Sequence, residues 1–257
     1  MTAGTAESTA IEPFDCRAIL LRYRDLARQM SGRYGAGSQA VVFVRYEELL
    51  AIRSMLLSRR GHPELEARLS ELRPLVQELY SASAPPNSVD MPWRTVLRDS
   101  PPLIEYSREH FDSHYGVVSG QVMADTVTVT GARQAFERLS PRTCYMYAVT
   151  DHGELRIWNR AFELHDLAFG RNRATVDAVP VAHPMLVPER LRVLAAGEIV
   201  LLGREQVEMV VANTKSGHFR PPPASAGVVR RLCRSLLGLA DRDVDVFTLF
   251  TEPPPAR

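Results

Sequence analysis

Hydrophobic residues recur at helical spacing in the first part of the chain. The first stretch begins after Asp15, a favourable N-cap, and its apolar face comprises Ile19, Leu20, Tyr23, Leu26, Ala27 and Met30. The segment SGRYGAGSQ then breaks the pattern. The second stretch covers 41–59, with a short strand as an alternative for its first residues, and stops before Pro63. These patterns predict that the chain begins with helices.

A third helix and a candidate linker follow. The helix is predicted from the apolar positions Leu65, Leu69, Leu72, Val76 and Leu79. Pro74 lies inside it and predicts a kink or a break. Residues 81–92, SASAPPNSVDMP, have the composition of a linker. A shorter helix is predicted around 101–116, with Gly116 as its C-terminal stop.

Beyond this point the hydrophobic period changes from helical to alternating. TCYMYAVT and ELRIWN flank the turn DHG, and LRVLAAGEIVLLG and EQVEMVVAN flank a turn at Gly203. Both pairs predict β-hairpins. Residues 160–189 join the hairpins as a long irregular connection. SAGVVRRLCRSLLGLA then predicts an amphipathic helix, and DVDVFTLF predicts a last strand.

The order of these elements predicts an α+β fold. A helical N-terminal half is followed by a mainly antiparallel sheet built of hairpins, with a C-terminal helix and strand. We expect a flexible leader over 1–14, a helical region over 15–116, an α+β module over 117–250 and a loose tail over 251–257. The candidate functional residues all lie in the α+β module.

The charge balance and the apolar runs argue against several classes of function. Thirty-one Lys and Arg face thirty Asp and Glu, so the net charge of +1 does not favour nucleic acid or an anionic membrane as a partner. The N-terminus does not read as a signal peptide, and no apolar run is long enough to span a bilayer. Three widely spaced cysteines without a CxxC pair fit a reducing compartment. We therefore predict a soluble, cytoplasmic protein.

Frequent catalytic and metal-binding motifs are missing from the sequence. There is no HExxH, CxxC, P-loop or GxGxxG pattern, so neither a metal site nor a cofactor is indicated. His110 and His114 are four residues apart, as ligands on one helix face would be. Asp112 and Ser113 favour a solvated helix end there instead. His152 in DHG is interpreted as a turn residue.

Candidate site residues occur in two segments that precede the loop after the second hairpin. AAGE at 195–198 places Glu198 in an apolar strand, after small residues that let a neighbour approach the backbone at Gly197. The alternative is a carboxylate that simply faces water. His183 precedes Pro184, which limits it to an extended backbone; it can act as a base or ligand, or only pack.

The third candidate is the loop NTKSGHFRP, residues 213–221. Asn213 and Ser216 can bind a substrate or cap backbone groups, and Gly217 permits a positive φ that would aim His218 and Arg220. Lys215, the only lysine in the chain, is interpreted as a solvated loop residue.

Residues 131–222 resemble the C-terminal module shared by plant IQM-type calmodulin-binding proteins and uncharacterised bacterial proteins, some of them effector-like. The resemblance rests on AAGE at 195–198 and on an N-x-S-G-H-Y-x-P loop. That loop is matched at Asn213, Ser216, Gly217, His218 and Pro221, with Phe219 in place of tyrosine. His183 matches a His-Ser-Ser loop, whose serine positions are occupied here by Pro184 and Met185.

The resemblance implies a bacterial protein whose motif residues meet in one site. It does not extend to calmodulin binding, because the chain has no IQxxxRGxxxR motif. No established reaction comes with the module.

Two main readings of function follow. The first is an intracellular enzyme for group transfer or hydrolysis on a small polar substrate, with His218, Glu198 and His183 as catalytic residues. Asn213, Ser216, Gly217 and Arg220 would bind the substrate. The second is a non-catalytic protein-interaction module in which the same residues form a buried polar network. A toxin-like effector that modifies a protein target is a further alternative. The sequence does not indicate an oligomeric state.

Overall fold

The computed structural model describes residues 16–82, 91–161 and 174–249. Several predictions fall outside these ranges: the leader, the N-cap at Asp15, most of the linker over 81–92, the middle of the connection over 160–189 and the tail. All helices and strands given below belong to the described part of the chain.

Three long helices form one layer of the fold. They are α1 (Cys16–Tyr34), α2 (Gln39–Ser58) and α3 (Pro63–Ala82). α2 contacts both of the other helices and the central sheet, which explains why it is apolar on nearly all sides. The strand considered for the start of the second stretch is wrong, because Gln39 already begins α2. α3 continues through Pro74 as one helix, so the predicted break does not occur.

The predicted helix over 101–116 is wrong in its first half. This part of the chain forms two strands and two helices: β1 (Arg94–Asp99), β2 (Pro102–Tyr106), α4 (Arg108–His114) and α5 (Gly116–Ala124). Alternate residues of β2 are buried, which is the period of a strand. Ser107 caps α4, since its hydroxyl accepts a hydrogen bond from the His110 N–H. Gly116 begins α5 rather than ending a helix.

Eight further strands and two further helices complete the fold. The strands are β3 (Thr126–Val129), β4 (Cys144–Thr150), β5 (Leu155–Trp158), β6 (Thr175–Val176), β7 (Val179–Pro180), β8 (Arg192–Gly203), β9 (Val207–Asn213) and β10 (Val244–Phe247). The helices are α6 (Ala132–Arg138) and α7 (Ala224–Leu237), with 3₁₀ turns at His183–Leu186 and Asp241–Asp243. α7 ends at Gly238, whose φ of 68° suits a left-handed cap.

Eight strands form one sheet. Its order is β1-β2-β8-β4-β5-β3, with β9 beside β8 and β10 beside β9. Every pairing in it is antiparallel except that of β9 with β10, and the two predicted hairpins, β4–β5 and β8–β9, are confirmed. β2 pairs with β8, so the sheet includes a hairpin from the region predicted to be helical.

The core has two parts on opposite faces of the sheet. Along β4, Cys144, Met146 and Ala148 belong to the cluster that packs against α1–α3, whereas Tyr145 and Tyr147 belong to the cluster beneath α6 and α7. The predicted α+β class is therefore confirmed. Within the described ranges, none of the helices is both long and apolar enough to cross a membrane.

Candidate functional site

The candidate residues gather where the sheet forks at β8. β8 is 12 residues long, and β4 pairs with it over most of its length along one edge. The opposite edge pairs with β2 at Arg192 and Val193, and with β9 from Ile199 onward. Residues 194–198 therefore lie between the two strands that diverge from this edge. AAGE occupies this gap.

Gly197 is required because the main chain of Asn213 crosses directly over it. A Cβ atom at Gly197 would lie 2.0 Å from the carbonyl oxygen of Asn213 and 2.8 Å from its carbonyl carbon. That same oxygen accepts a hydrogen bond of 2.9 Å from the hydroxyl of Tyr147. The close approach expected at AAGE is thus made by the chain's own backbone at the end of β9.

Glu198 and Asn213 form a buried, closed pair of hydrogen bonds. The Asn213 Nδ2 donates to Glu198 Oε2 over 2.8 Å, and the Glu198 N–H donates to Asn213 Oδ1 over 3.1 Å. Asn213 also accepts from the Lys215 N–H at 2.9 Å and donates to the Tyr80 hydroxyl at 3.3 Å. The alternative of an outward, solvated carboxylate is wrong, since Glu198 is only 6% exposed.

Burial is the main influence on the ionisation of Glu198. It raises the pKa of the carboxyl group, while the charge of Lys215 and the hydrogen bond from Asn213 oppose the rise. Lys215 is half-buried, so its interpretation as a solvated residue was incomplete. Its ammonium group is the cation that stabilises the ionised form of this carboxyl.

His183 is buried at the start of a 3₁₀ turn, and its Nε2 lies 3.0 Å from the carbonyl oxygen of Gly197. Because a carbonyl only accepts, Nε2 carries the proton of this hydrogen bond. Burial first, and then the nearby His218, lower the pKa of His183 to about 3. The ring is therefore neutral near pH 7 and positions Gly197.

The depressed pKa of His183 predicts a loss of stability in mild acid. In the unfolded chain the imidazole titrates near 6.5. The contribution of the neutral His183 to the free energy of unfolding is therefore fully present above that pH and is lost as the pH drops toward 3. Between pH 7.5 and 5.0 we expect a loss of about 2 kcal/mol from this group, at 1.36 kcal/mol per pKa unit. Urea unfolding of the wild type and of His183→Gln at both pH values measures it.

The glutamine variant keeps a donor for Gly197 but cannot titrate. We expect its acid loss to be smaller than that of the wild type by most of this amount. His152→Gln removes an exposed histidine and should leave the acid loss unchanged. An equal loss in wild type and His183→Gln would refute the assignment.

Ser216 shapes the loop and is not accessible. It is fully buried, and its hydroxyl accepts from the Phe219 N–H over 3.3 Å. Its carbonyl accepts from the Arg220 N–H, which closes a turn over the tip at Gly217. Gly217 is exposed but does not adopt the positive φ that a glycine permits; Arg220 has a positive φ instead, of 42°. A substrate-binding hydroxyl at Ser216 is not accessible in this conformation.

His218 is partly exposed, unlike the buried His183. Its Nε2 lies 2.9 Å from the Tyr115 hydroxyl, and its ring meets Tyr106 and Tyr115 edge to face. Burial, with a smaller influence of His110, lowers the pKa of His218 to about 4. The imidazole is therefore a neutral base near pH 7.

Arg94 fixes the far end of the loop. Its guanidinium donates from Nε and Nη2 to the carbonyl oxygens of Phe219 and Arg220. Phe219 itself is fully buried against Tyr106, with ring centroids 5.9 Å apart. These contacts hold Arg220 in its positive-φ conformation.

The structure brings most of the predicted residues together, but not as a Glu–His pair. Glu198, Asn213, Lys215 and the loop are linked by hydrogen bonds, and His183 reaches the same strand at Gly197. Within the described ranges, Glu198 has no hydrogen bond to either histidine. Sequence reasoning missed Tyr80, Tyr115 and Arg94, since no local signal marks residues that reach the loop from distant elements.

His110 and His114 belong to a stack of rings. Their centroids are 4.0 Å apart, and the ring of His110 also stacks on Trp93 at 4.9 Å. In the described part of the chain, no three His, Cys, Asp or Glu side chains are grouped so that they could hold a metal ion.

Comparisons with protein-family models, with curated proteins and with solved structures gave no match for this chain. The resemblance of residues 131–222 to the IQM-type module therefore stays a prediction from its motifs.

Proposed function

We propose that the protein is an enzyme that carries out group transfer or hydrolysis on a small polar substrate at the loop after β9. The observation that supports it best is the partly exposed His218, neutral near pH 7 and hydrogen-bonded to Tyr115 at 2.9 Å. A neutral imidazole with a fixed ring orientation can accept a proton as a general base, and its lowered pKa makes it a weaker base than an ordinary histidine.

The remaining residues of the site would position this base. Asn213 bonds the loop to β8 through Glu198, and Arg94 bonds the other end of the loop to β1. His183 holds Gly197. We assign Glu198 and His183 to positioning, because both are buried and each hydrogen bond they make is to Asn213 or to the backbone.

Replacing His218 with alanine tests the proposal. We expect turnover to fall by about 100-fold, the lower end of what a general acid or base contributes. Wild type and variant would be compared on a panel of small esters, amides, phosphate esters and nucleosides. Their melting temperatures would show whether the fold is kept. His152→Ala, in the exposed turn between β4 and β5, is the matched control and should retain full turnover. Equal turnover in wild type and His218→Ala would contradict the proposal.

The burial of the network favours one other candidate function. Glu198, Asn213 and Ser216 are buried and bonded within the chain, as expected for a non-catalytic interaction module whose loop is only a rigid support. A wild type inert on the whole panel, together with an Asn213→Ala variant that melts well below it, would favour this module over the enzyme.

A further inference from the structure

Arginines line two neighbouring cavities that share no residue with the fork of the sheet. The inner cavity has a volume of about 380 Å³ and lies between α2, α3 and β9; the outer has about 800 Å³ and reaches the β8–β9 turn and the end of α7. Arg60, Arg242 and Asp243 line both, so the two cavities adjoin. Volumes of this size are typical of small-molecule sites.

Arg53 forms a buried wall of the inner cavity, and its hydrogen-bonding capacity is incompletely used. Its side chain is 3% exposed, and its Nε donates to Asp245 Oδ2 over 2.7 Å. Nη1 faces only the thioether of Met209, 3.9 Å away and a weak acceptor. Nη2 lies 2.7 Å from the same Asp245 oxygen but has no aligned acceptor. Nη2 is buried beside Asp245, so what Arg53 contributes to the inner cavity is the positive charge of its guanidinium group.

In each cavity the arginines outnumber the carboxylates by one. Around the inner cavity, four guanidinium groups (Arg53, Arg60, Arg73 and Arg242) face the carboxylates of Glu66, Asp243 and Asp245. Arg53 and Arg73 share the single carboxylate of Asp245, with each Nε 2.7 Å from it. Arg60 and Arg204 share Glu208 at 3.6 and 3.8 Å.

Two further arginines lack a carboxylate partner. In the described ranges, neither Arg133 nor Arg242 forms an ion pair through its own guanidinium. The outer cavity therefore has four guanidinium groups against Glu205, Glu208 and Asp243. The excess positive charge of the outer cavity is carried by exposed side chains, among them Arg133 and Arg242.

We propose that the two cavities form a binding site for a small phosphorylated molecule, with its phosphoryl group in the inner cavity and the remainder in the outer one. Guanidinium groups match phosphate oxygens in geometry and can bind them bidentately. Arg53 provides a buried positive charge, and Arg60 and Arg242 line both cavities. Leu237 and Leu239 give the outer cavity an apolar side for the rest of the ligand.

Binding of inorganic phosphate, glucose 6-phosphate and AMP to the full chain tests the proposal. Calorimetric titration would be run at constant ionic strength, with chloride replaced by ligand. We expect saturable binding, with at least one of the phosphorylated molecules about tenfold tighter than inorganic phosphate because it also fills the outer cavity. Arg242→Gln and Arg60→Gln should each weaken binding about tenfold or more. Arg53 is left intact because its loss would damage the core.

The control variant is Arg231→Gln, which removes an exposed arginine of α7 that lines neither cavity. It should bind like the wild type. The proposal is overturned if no ligand saturates, if Arg231→Gln weakens binding as much as Arg242→Gln, or if both phosphorylated molecules bind no better than inorganic phosphate. His218 lines neither cavity, so His218→Ala should bind these ligands like the wild type. The binding result therefore does not depend on whether the proposed reaction at His218 is correct.

Discussion

Gly197→Ala is expected to lower the free energy of unfolding by about 4 kcal/mol or more, at the severe end for single substitutions. The added Cβ would lie 2.0 Å from the carbonyl oxygen of Asn213, which is backbone and cannot rotate away. Relief requires the end of β9 to move off β8. That movement would break both hydrogen bonds between Glu198 and Asn213 and release the loop that carries His218.

Thermal and urea unfolding measure this effect, and Gly217→Ala is the matched control. A Cβ at Gly217 would meet no atom within 4 Å, and its φ is not in the left-handed region, so we expect a change within about 0.5 kcal/mol. For Gly197→Ala the melting temperature should fall by about 8–16 °C, at 2–4 °C per kcal/mol for a chain of this size. A variant that melts with the wild type would show that Asn213 does not constrain β8.

Asp245→Ala is expected to destabilise the fold by about 3–5 kcal/mol. Asp245 is 5% exposed on β10 and accepts hydrogen bonds from Arg53 of α2 and Arg73 of α3, both at 2.7 Å. Without it, Arg53 would remain as a buried charge that has lost its hydrogen-bonded carboxylate. Burial already lowers the pKa of Arg53, and the charge of Asp245 opposes that effect.

Urea unfolding at neutral pH measures this loss, with Asp241→Ala as control. Asp241 and Arg234 form an exposed pair at 3.1 Å, so its removal should change stability by less than about 1 kcal/mol. The double variant Arg53→Leu/Asp245→Leu removes both buried charges and should be more stable than Asp245→Ala, because no buried unpaired charge is left. Arg73 loses Asp245 in both variants, but its side chain is partly exposed to water. A double variant that is less stable than the single would contradict this explanation.

Much of the fold is encoded in short-range patterns. The hairpins β4–β5 and β8–β9 follow from alternating apolar residues with turn residues between them, and α7 follows from its apolar face and Gly238. The β1–β2 hairpin was missed, since PPLIEY reads equally as the start of a helix. The segment PPLIEY forms the strand β2 because it pairs with the edge of β8 at Arg192 and Val193, which lie far along the chain.

The grouping of Glu198, Asn213 and His183 at one place was foreseeable from their motifs, but the chemistry of the group was not. Whether a carboxylate is solvated or buried depends on what packs over its strand; here α3 supplies Tyr80, 133 residues away from Asn213. The partner of His218, Tyr115, is 103 residues away. No local pattern identifies such contacts.

The positive φ in the loop likewise depends on tertiary contacts and not on the local sequence. A glycine predicts left-handed backbone because it lacks a Cβ, so Gly217 was the natural choice. The conformation occurs at Arg220 instead, where Arg94 donates to the carbonyl groups of Phe219 and Arg220 and the buried Phe219 anchors the turn. Local propensities therefore decided most of the helices and strands, and the β1–β2 hairpin is the exception. Tertiary packing decided which side chains are buried, which backbone is strained and which histidine faces solvent, because those properties depend on neighbours distant in the chain.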